Sequence, residues 1–375
     1  MLLLLVALFS LLAPEPSQAE DFSIRTKGSA TFRSQLYPGA LPGNVNHTLH
    51  FLDLEGGAHG GWGRNWQFQV SSHLHFDPKN RTERERFWAE IPEAYFQGRQ
   101  RLGEAQTLLL QLGLNTFTWG VTDGFNPVDV VSARRYSDPL NSEKLGAPSL
   151  LARADFGAFL LEAIYIPSQS KSILPGENSR WIPREVKENQ VINGQYFNLP
   201  HDLNFSFSNH EELSHALSNN YGLRLSTHIP DLDLSLYGFD GAAPVPAAHL
   251  LLTGSFFQVL PDIIVNADPR VNIRPVFFRQ RMAGASVVYS AGEVLVRTEA
   301  AILRPSAKRA DLPGDAEEYI AELEHTFSWE RSSLTLILEG TYGRHSDQPS
   351  DSLPPSLERM FDRGIVLGTR YKPYE

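Results

Sequence analysis

The first chemical signal is a set of carboxylates at strand-like spacing. Glu318, Glu322 and Glu324 share one parity of the stretch that ends at Trp329, and Glu339 lies on the polar parity of the next stretch, Leu334 to Tyr342. Side chains alternate faces along an extended chain, so these acids collect on one face of two adjacent strands. Just upstream, Glu293, Arg297 and Glu299 also share one parity. A basic set stands at the two ends of the chain, with Arg25, Lys27 and Arg33 near the start and Arg370 and Lys372 near the finish. Rows of one sign set ion selectivity when they face a pore. The same rows pair across strands and fill the space when the lumen is narrow.

A third set sits in one long segment, where Trp119, Asp123, Asp129, Arg134, Arg135 and Asp138 mix acids, bases and an indole. Such a segment either folds inward and constricts a channel or stays solvated at the surface. His73 and His75 stand two residues apart and could hold a metal, but their own strand offers no carboxylate or Cys. A lumen-lining role is therefore expected for them, and no metal and no cofactor. An enzyme would need a Ser and a His within proton-transfer reach on one face. His325 and Ser328 have opposite parity, and no G-x-S-x-G context accompanies them, so no catalytic residue is expected.

The elements that would position these groups announce themselves by period-2 alternation. Between Thr107 and Trp119, Leu108, Leu110, Leu112 and Leu114 form one face, while Gln111, Gly113 and Asn115 interrupt the other. The pattern recurs in Trp66–Phe76, Trp88–Arg99, Tyr221–Ile229, Leu232–Phe239, Glu293–Leu303 and Tyr319–Trp329, and gives roughly 14 strands. Asn272 to Tyr289 reads as one strand in which Arg279 and Arg281 share a face with Ala283 and Val287. Connections alternate between short, near Gly61, Gly103, Gly157, Asp231, Ala291 and Arg331, and long, at 120–149, 167–213 and 241–269. Aromatic residues at strand ends (Trp66, Trp88, Trp119, Tyr165, Tyr289, Trp329, Tyr342 and Tyr371) fit two interfacial girdles. Together these features predict an all-β chain, a transmembrane antiparallel up-and-down β-barrel of 14 to 16 strands. Barrel closure would then make the basic first and last strands neighbours, with an acidic wall elsewhere in the lumen.

Composition agrees. The 375 residues are 42% hydrophobic, and the only long apolar run is Leu2 to Leu12, so a bundle of membrane helices is excluded. That run, followed by Ser17-Gln18-Ala19, reads as a signal peptide over 1–19, with the barrel over 20–375. There is no Cys, so an exported chain must draw its stability from elsewhere, and closure of a sheet provides it. A net charge of −10 without a basic stripe argues against nucleic acid. The expected partners are outer-membrane lipid, small solutes and the barrel-insertion machinery, with the location a bacterial outer membrane. The expected function is a porin-like channel for passive diffusion of small polar or charged solutes. The alternatives are a structural or receptor barrel with a plugged lumen, a lipid-processing barrel enzyme, and a secreted soluble all-β protein.

One segment carries a family resemblance. Asn115 to Pro139 reads NTFTWGVTDGFNPVDVVSARRYSDP, with Trp119-Gly120, Asp123-Gly124, Pro127-Val128-Asp129-Val130, then Arg134-Arg135 and Asp138-Pro139. This resembles the loop of an uncharacterised family of Gram-negative outer-membrane channels, similar to alginate-export-type porins. The strand-like Glu162 to Pro167 that follows also resembles that family, and the resemblance covers about residues 105–170. It implies an outer-membrane barrel in which a strand ending in the Trp119-Gly120 pair leads into this loop. The final Tyr374-Glu375 differs from the terminal Phe or Trp of many barrel chains, which leaves 14 to 16 strands open.

Overall fold

The computed structural model describes residues 22–36, 48–78, 83–138, 142–176, 179, 190–192, 195–198, 204–253, 256–260, 263–266, 270–309, 312–329, 332–346 and 363–373. The expected signal peptide, 1–19, lies outside them, as does Pro139. Fourteen strands form one antiparallel sheet in strictly sequential order. They are β1 (Phe22–Leu36), β2 (Thr48–Trp62), β3 (Trp66–Phe76), β4 (Phe87–Arg101), β5 (Thr107–Asn115), β6 (Ala147–Asp155) and β7 (Phe159–Ser168). The second half comprises β8 (Ser218–Ile229), β9 (Leu232–Ala242), β10 (Arg279–Ala291), β11 (Val294–Pro305), β12 (Ala316–Trp329), β13 (Ser332–His345) and β14 (Arg363–Pro373). At one end the turns are tight, and Gly157, Asp231 and Gly292 take the left-handed backbone that such turns require.

The sheet rolls up around its own fifth connection. Residues 116–146, between β5 and β6, touch β3 through Glu143 and His73 at 3.6 Å, and touch β14 through Asp123 and Arg370 at 3.1 Å. In a flat sheet these strands would stand about 53 Å apart, eleven spacings of about 4.8 Å. Within the loop, Asp123 lies six residues from Asp129, a stretch of at most about 21 Å. Asp129 in turn binds Lys144, the neighbour of Glu143, at 2.5 Å. A compact loop reaches both strands only if the sheet curves round it into a barrel. Among the described residues no ladder joins β1 to β14, so the expected direct pairing of the first and last strands is not part of this structure.

The alternation sorts the side chains. On β12, Glu318, Ile320 and Glu322 are buried inward while Tyr319, Ala321 and Leu323 face out. Outward faces carry large apolar groups left exposed, such as Leu236, Leu338 and Leu367, which is the outer face that a barrel offers to lipid. Several expectations change. The strand that opens at Thr107 ends at Asn115, because Asn115 turns its amide to Ser149 Oγ at 2.7 Å and the chain then leaves the sheet. Trp119 therefore belongs to the inserted loop and not to a girdle. Trp88 also points inward, stacked on His75 at 5.2 Å. The stretch 272–289 is two strands, since Arg270–Phe277 pairs with loop strands and only Arg279 onward joins the barrel. The long connections 169–217 and 243–278 cross-pair, with Asn204–Phe207 parallel and Ala247–Thr253 antiparallel to Arg270–Phe277.

Candidate functional site

The inserted loop is held by two chemically different walls. One wall is apolar. Phe117, Trp119, Val128, Val130 and Val131 form one buried cluster with Leu109, Leu151, Ile164, Ile166, Tyr237, Phe239, Met282 and Ala301, which come from the inner faces of β5 to β11. Two glycines make the approach possible. A Cβ at Gly222 would stand 2.8 Å from the Trp119 ring, and one at Gly284 would stand 2.6 Å from a Val128 methyl. Trp119 is 2% exposed, and its Nε1–H donates to Glu162 Oε1 at 3.0 Å, so its one polar group is satisfied. Arg153 compensates the other oxygen of Glu162 at 2.6 Å.

The second wall is acidic, and its carboxylates grip main chain. Glu299 accepts from the backbone N–H groups of Val121 and Thr122, the latter at 3.0 Å. Glu322 accepts from Asp123 N–H at 2.7 Å, and Glu339 accepts from Gly124 N–H at 2.9 Å. Three successive strands therefore each supply a carboxylate to one turn of the loop. Charge-assisted bonds of this kind are stronger than neutral ones. Arg297 pairs with Glu322, with Glu324 at 3.2 Å and with Asp123 at 3.7 Å. Asp123, Glu322 and Glu324 are close enough to share a cation, and the Arg297 guanidinium already supplies a positive charge among them.

The structure distributes the other expected residues as follows. Asp129 accepts from Trp119 N–H at 3.1 Å and pairs with Arg134 at 2.6 Å and with Lys144, tying the two ends of the loop together. Arg135 lies over the Trp88 ring at 4.3 Å and pairs with Glu90 at 3.2 Å. Asp138 is half-buried near the end of the described stretch. Glu318 is buried on the inner face of β12, whereas Glu293 lies exposed in the turn before β11 and joins none of the clusters. Arg25, Lys27, Arg33, Arg370 and Lys372 are exposed on β1 and β14; Arg33 approaches Asp53 at 3.9 Å.

Sequence reasoning did not find the group that binds the loop to β2, β3 and β4. Asp53 lies between His75 at 2.7 Å and His73 at 3.3 Å, and the other ring nitrogen of His73 faces Glu143 of the loop. Asp53 comes from the neighbouring strand, so a search along the His strand alone could not reveal it. Burial raises the Glu143 carboxyl to about 6; His73 and Arg135 oppose the shift, and Asp53 and Glu90 add to it. Lys144 is pushed down, also by burial, against the pull of Asp129. The seated loop holds the Glu143 proton more tightly than a released loop does, so seating is favoured below the ordinary carboxylate range and loses that contribution as pH rises through about 6. Glu143→Gln should remove this part of the dependence, leaving amide exchange of residues 142–146 flatter between the ordinary carboxylate range and about pH 6. Exchange as steep as in the parent protein would show that the dependence does not arise at Glu143.

A family model described as "Protein of unknown function (DUF1302)" matches residues 20–359. The chain belongs to this family. The match to DUF1302 spans every strand from β1 to β13 and the whole inserted loop. Among curated proteins, no sequence matches it significantly. Solved structures similar to this DUF1302 chain include the outer-membrane expressed OmpT of Vibrio cholerae, at 9% identity over 96% of this chain and 84% of that one, with a TM-score of 0.46. OprB of Pseudomonas putida is similar at 10% identity over 86% and 75%, with a TM-score of 0.43. Salmonella typhi OmpF gives 9% over 87% and 80%, with a TM-score of 0.43.

Proposed function

We propose that the protein is an outer-membrane channel for passive diffusion of small polar or charged solutes, with the inserted loop as its constriction. The observation that carries this reading is the uneven seat of the loop. Its apolar residues pack on β5 to β11, and its turn is capped from β11, β12 and β13, whereas β3, β4 and β14 meet it through charged side chains such as Glu143, Arg135 and Asp123. Beside those contacts lies a cavity of ≈ 470 Å³ lined by Lys27, Glu55, His59, Gln69, His73 and Glu93. A solute would cross along this polar side, between the wall and the loop. Glu299, Glu322 and Glu339 are 3%, 1% and 2% exposed, so in this reading they anchor the loop and do not touch the solute. Arg25, Lys27 and Lys372 supply the field that the solute meets.

The test is single-channel recording from the purified chain in a planar bilayer. Discrete, ohmic conductance steps are expected, with a selectivity that depends on salt concentration. A folded, heat-modifiable barrel that never conducts would instead support a plugged structural barrel.

A further inference from the structure

The outward side of β6 to β10 carries a row of small side chains beside a cluster of arginines. One cross-strand row reads Ala152, Ala163, Leu223, Gly238, Ala283, so four of its five positions carry a methyl group or less. The result is a trough of ≈ 650 Å³ on the outer face, with Leu150 and Tyr221 on its flank. A Cβ at Gly238 would meet nothing within 4 Å, so the floor is open and not closed by neighbours. The row one step toward the long connections reads Leu150, Tyr165, Tyr221, Asp240, Arg281, Arg304. Arg281 and Arg304 are direct cross-strand partners, and their side chains are 72% and 67% exposed. Like charges placed directly opposite each other are unfavourable in a sheet unless an anion bridges them.

The nearby acids fill that role only in part. Asp240 gives its shorter contact, 2.6 Å, to Arg279 and reaches Arg281 only at 3.4 Å. Asp315 stands 3.8 Å from Arg304. Further round, Glu317 faces Arg344 across the next pair of strands. Four guanidiniums therefore meet three carboxylates, at the level of the Tyr165–Tyr221 ring pair. Aromatic residues of this kind mark the boundary between hydrocarbon and headgroups.

We infer that this face is a binding site for a phosphorylated, multiply acylated lipid of the outer leaflet, with its phosphate bridging Arg281 and Arg304 and an acyl chain lying in the trough over Gly238. Paired guanidiniums match phosphate oxygens in geometry as well as charge. A concave trough with open floor suits a flexible chain, whereas contact between two copies of a barrel needs surfaces that fit one another. The site depends on reading the outer face as lipid-facing, and not on whether the lumen conducts.

Native mass spectrometry of the full chain in detergent, with diphosphorylated lipid A as the probe, tests the site. One lipid per chain should be retained, and inorganic phosphate alone should not displace it. Gly238→Leu fills the trough, and the double variant Arg281→Glu, Arg304→Glu reverses the rim; each should weaken retention about tenfold or more. Heat-modifiable migration of both variants verifies that the barrel has folded. Equal retention of a dephosphorylated lipid A, or retention unaltered in both folded variants, would overturn the inference. So would a smaller oligomer in Gly238→Leu with lipid retention unchanged, since the trough would then be a contact between copies.

Discussion

Trp119→Ala will unseat the inserted loop. The indole is buried against Tyr237 at 5.5 Å and Phe239 at 6.5 Å, and lies on the bare backbone of Gly222. Truncating a buried Trp costs about 3–5 kcal/mol, the sum of lost transfer energy and the cavity left behind. All of that cost falls on seating the loop, because the strands around it keep their own ladders. A released population that is negligible in the parent should therefore grow by about two to four orders of magnitude. In a bilayer this should appear as larger conductance steps and strong open-channel noise, and in solution as protease cleavage within 117–138. Trp119→Phe keeps most of the packing and loses only the bond to Glu162, worth about 1.5–3 kcal/mol with a charged acceptor, so its effect should be intermediate. Quiet channels of parental size from Trp119→Ala would show that the three carboxylate caps suffice by themselves.

Reversing the basic side should change which ions pass. Replacing Arg25, Lys27 and Lys372 by Glu changes the formal charge of β1 and β14 by six units, two for each position. The reversal potential in a salt gradient should move strongly toward cation preference. It should do so at low salt and fade at high salt, as the Debye length falls from about 10 Å at 0.1 M to about 3 Å at 1 M. Neutralising Glu322 and Glu339 provides the contrast. Those carboxylates lie under the loop and bond to its backbone, so their loss should add gating noise with little change in selectivity. Selectivity that follows Glu322 and Glu339, and ignores the three basic residues, would put the ion path on the other side of the loop.

The barrel was legible in the sequence because parity is a local property. The leucine row of β5, the aromatic and aliphatic row of β12 and the tight turns at Gly157 and Asp231 each needed only their own neighbours. The inserted loop was visible as a charged segment, but its seat was not, because that depends on strands far away in the chain. Even so, a signal existed. Leu109, Leu151, Ile164, Ile166 and Phe239 sit on the parity that should have been polar, and inner faces that are apolar must be covered by something. Pro127-Val128-Asp129-Val130-Val131 is the matching apolar run within the loop. Trp88 and Trp119 were misplaced in a girdle because an indole at a strand end looks the same from sequence whether it faces lipid or turns inward. The Asp53–His73–His75 group needed the register between β2 and β3, which alternation does not give.

The caps on the loop turn also constrain how the molecule is assembled. The amide groups of Val121 to Gly124 are chemically ready as soon as β5 exists, yet their acceptors lie 177 to 215 residues further along the chain. Contacts so distant in sequence are slow to form, because the intervening chain must first be ordered. The loop turn therefore stays uncapped until the last third of the chain is in place, and the carboxylates of β11, β12 and β13 then latch the loop to the wound sheet.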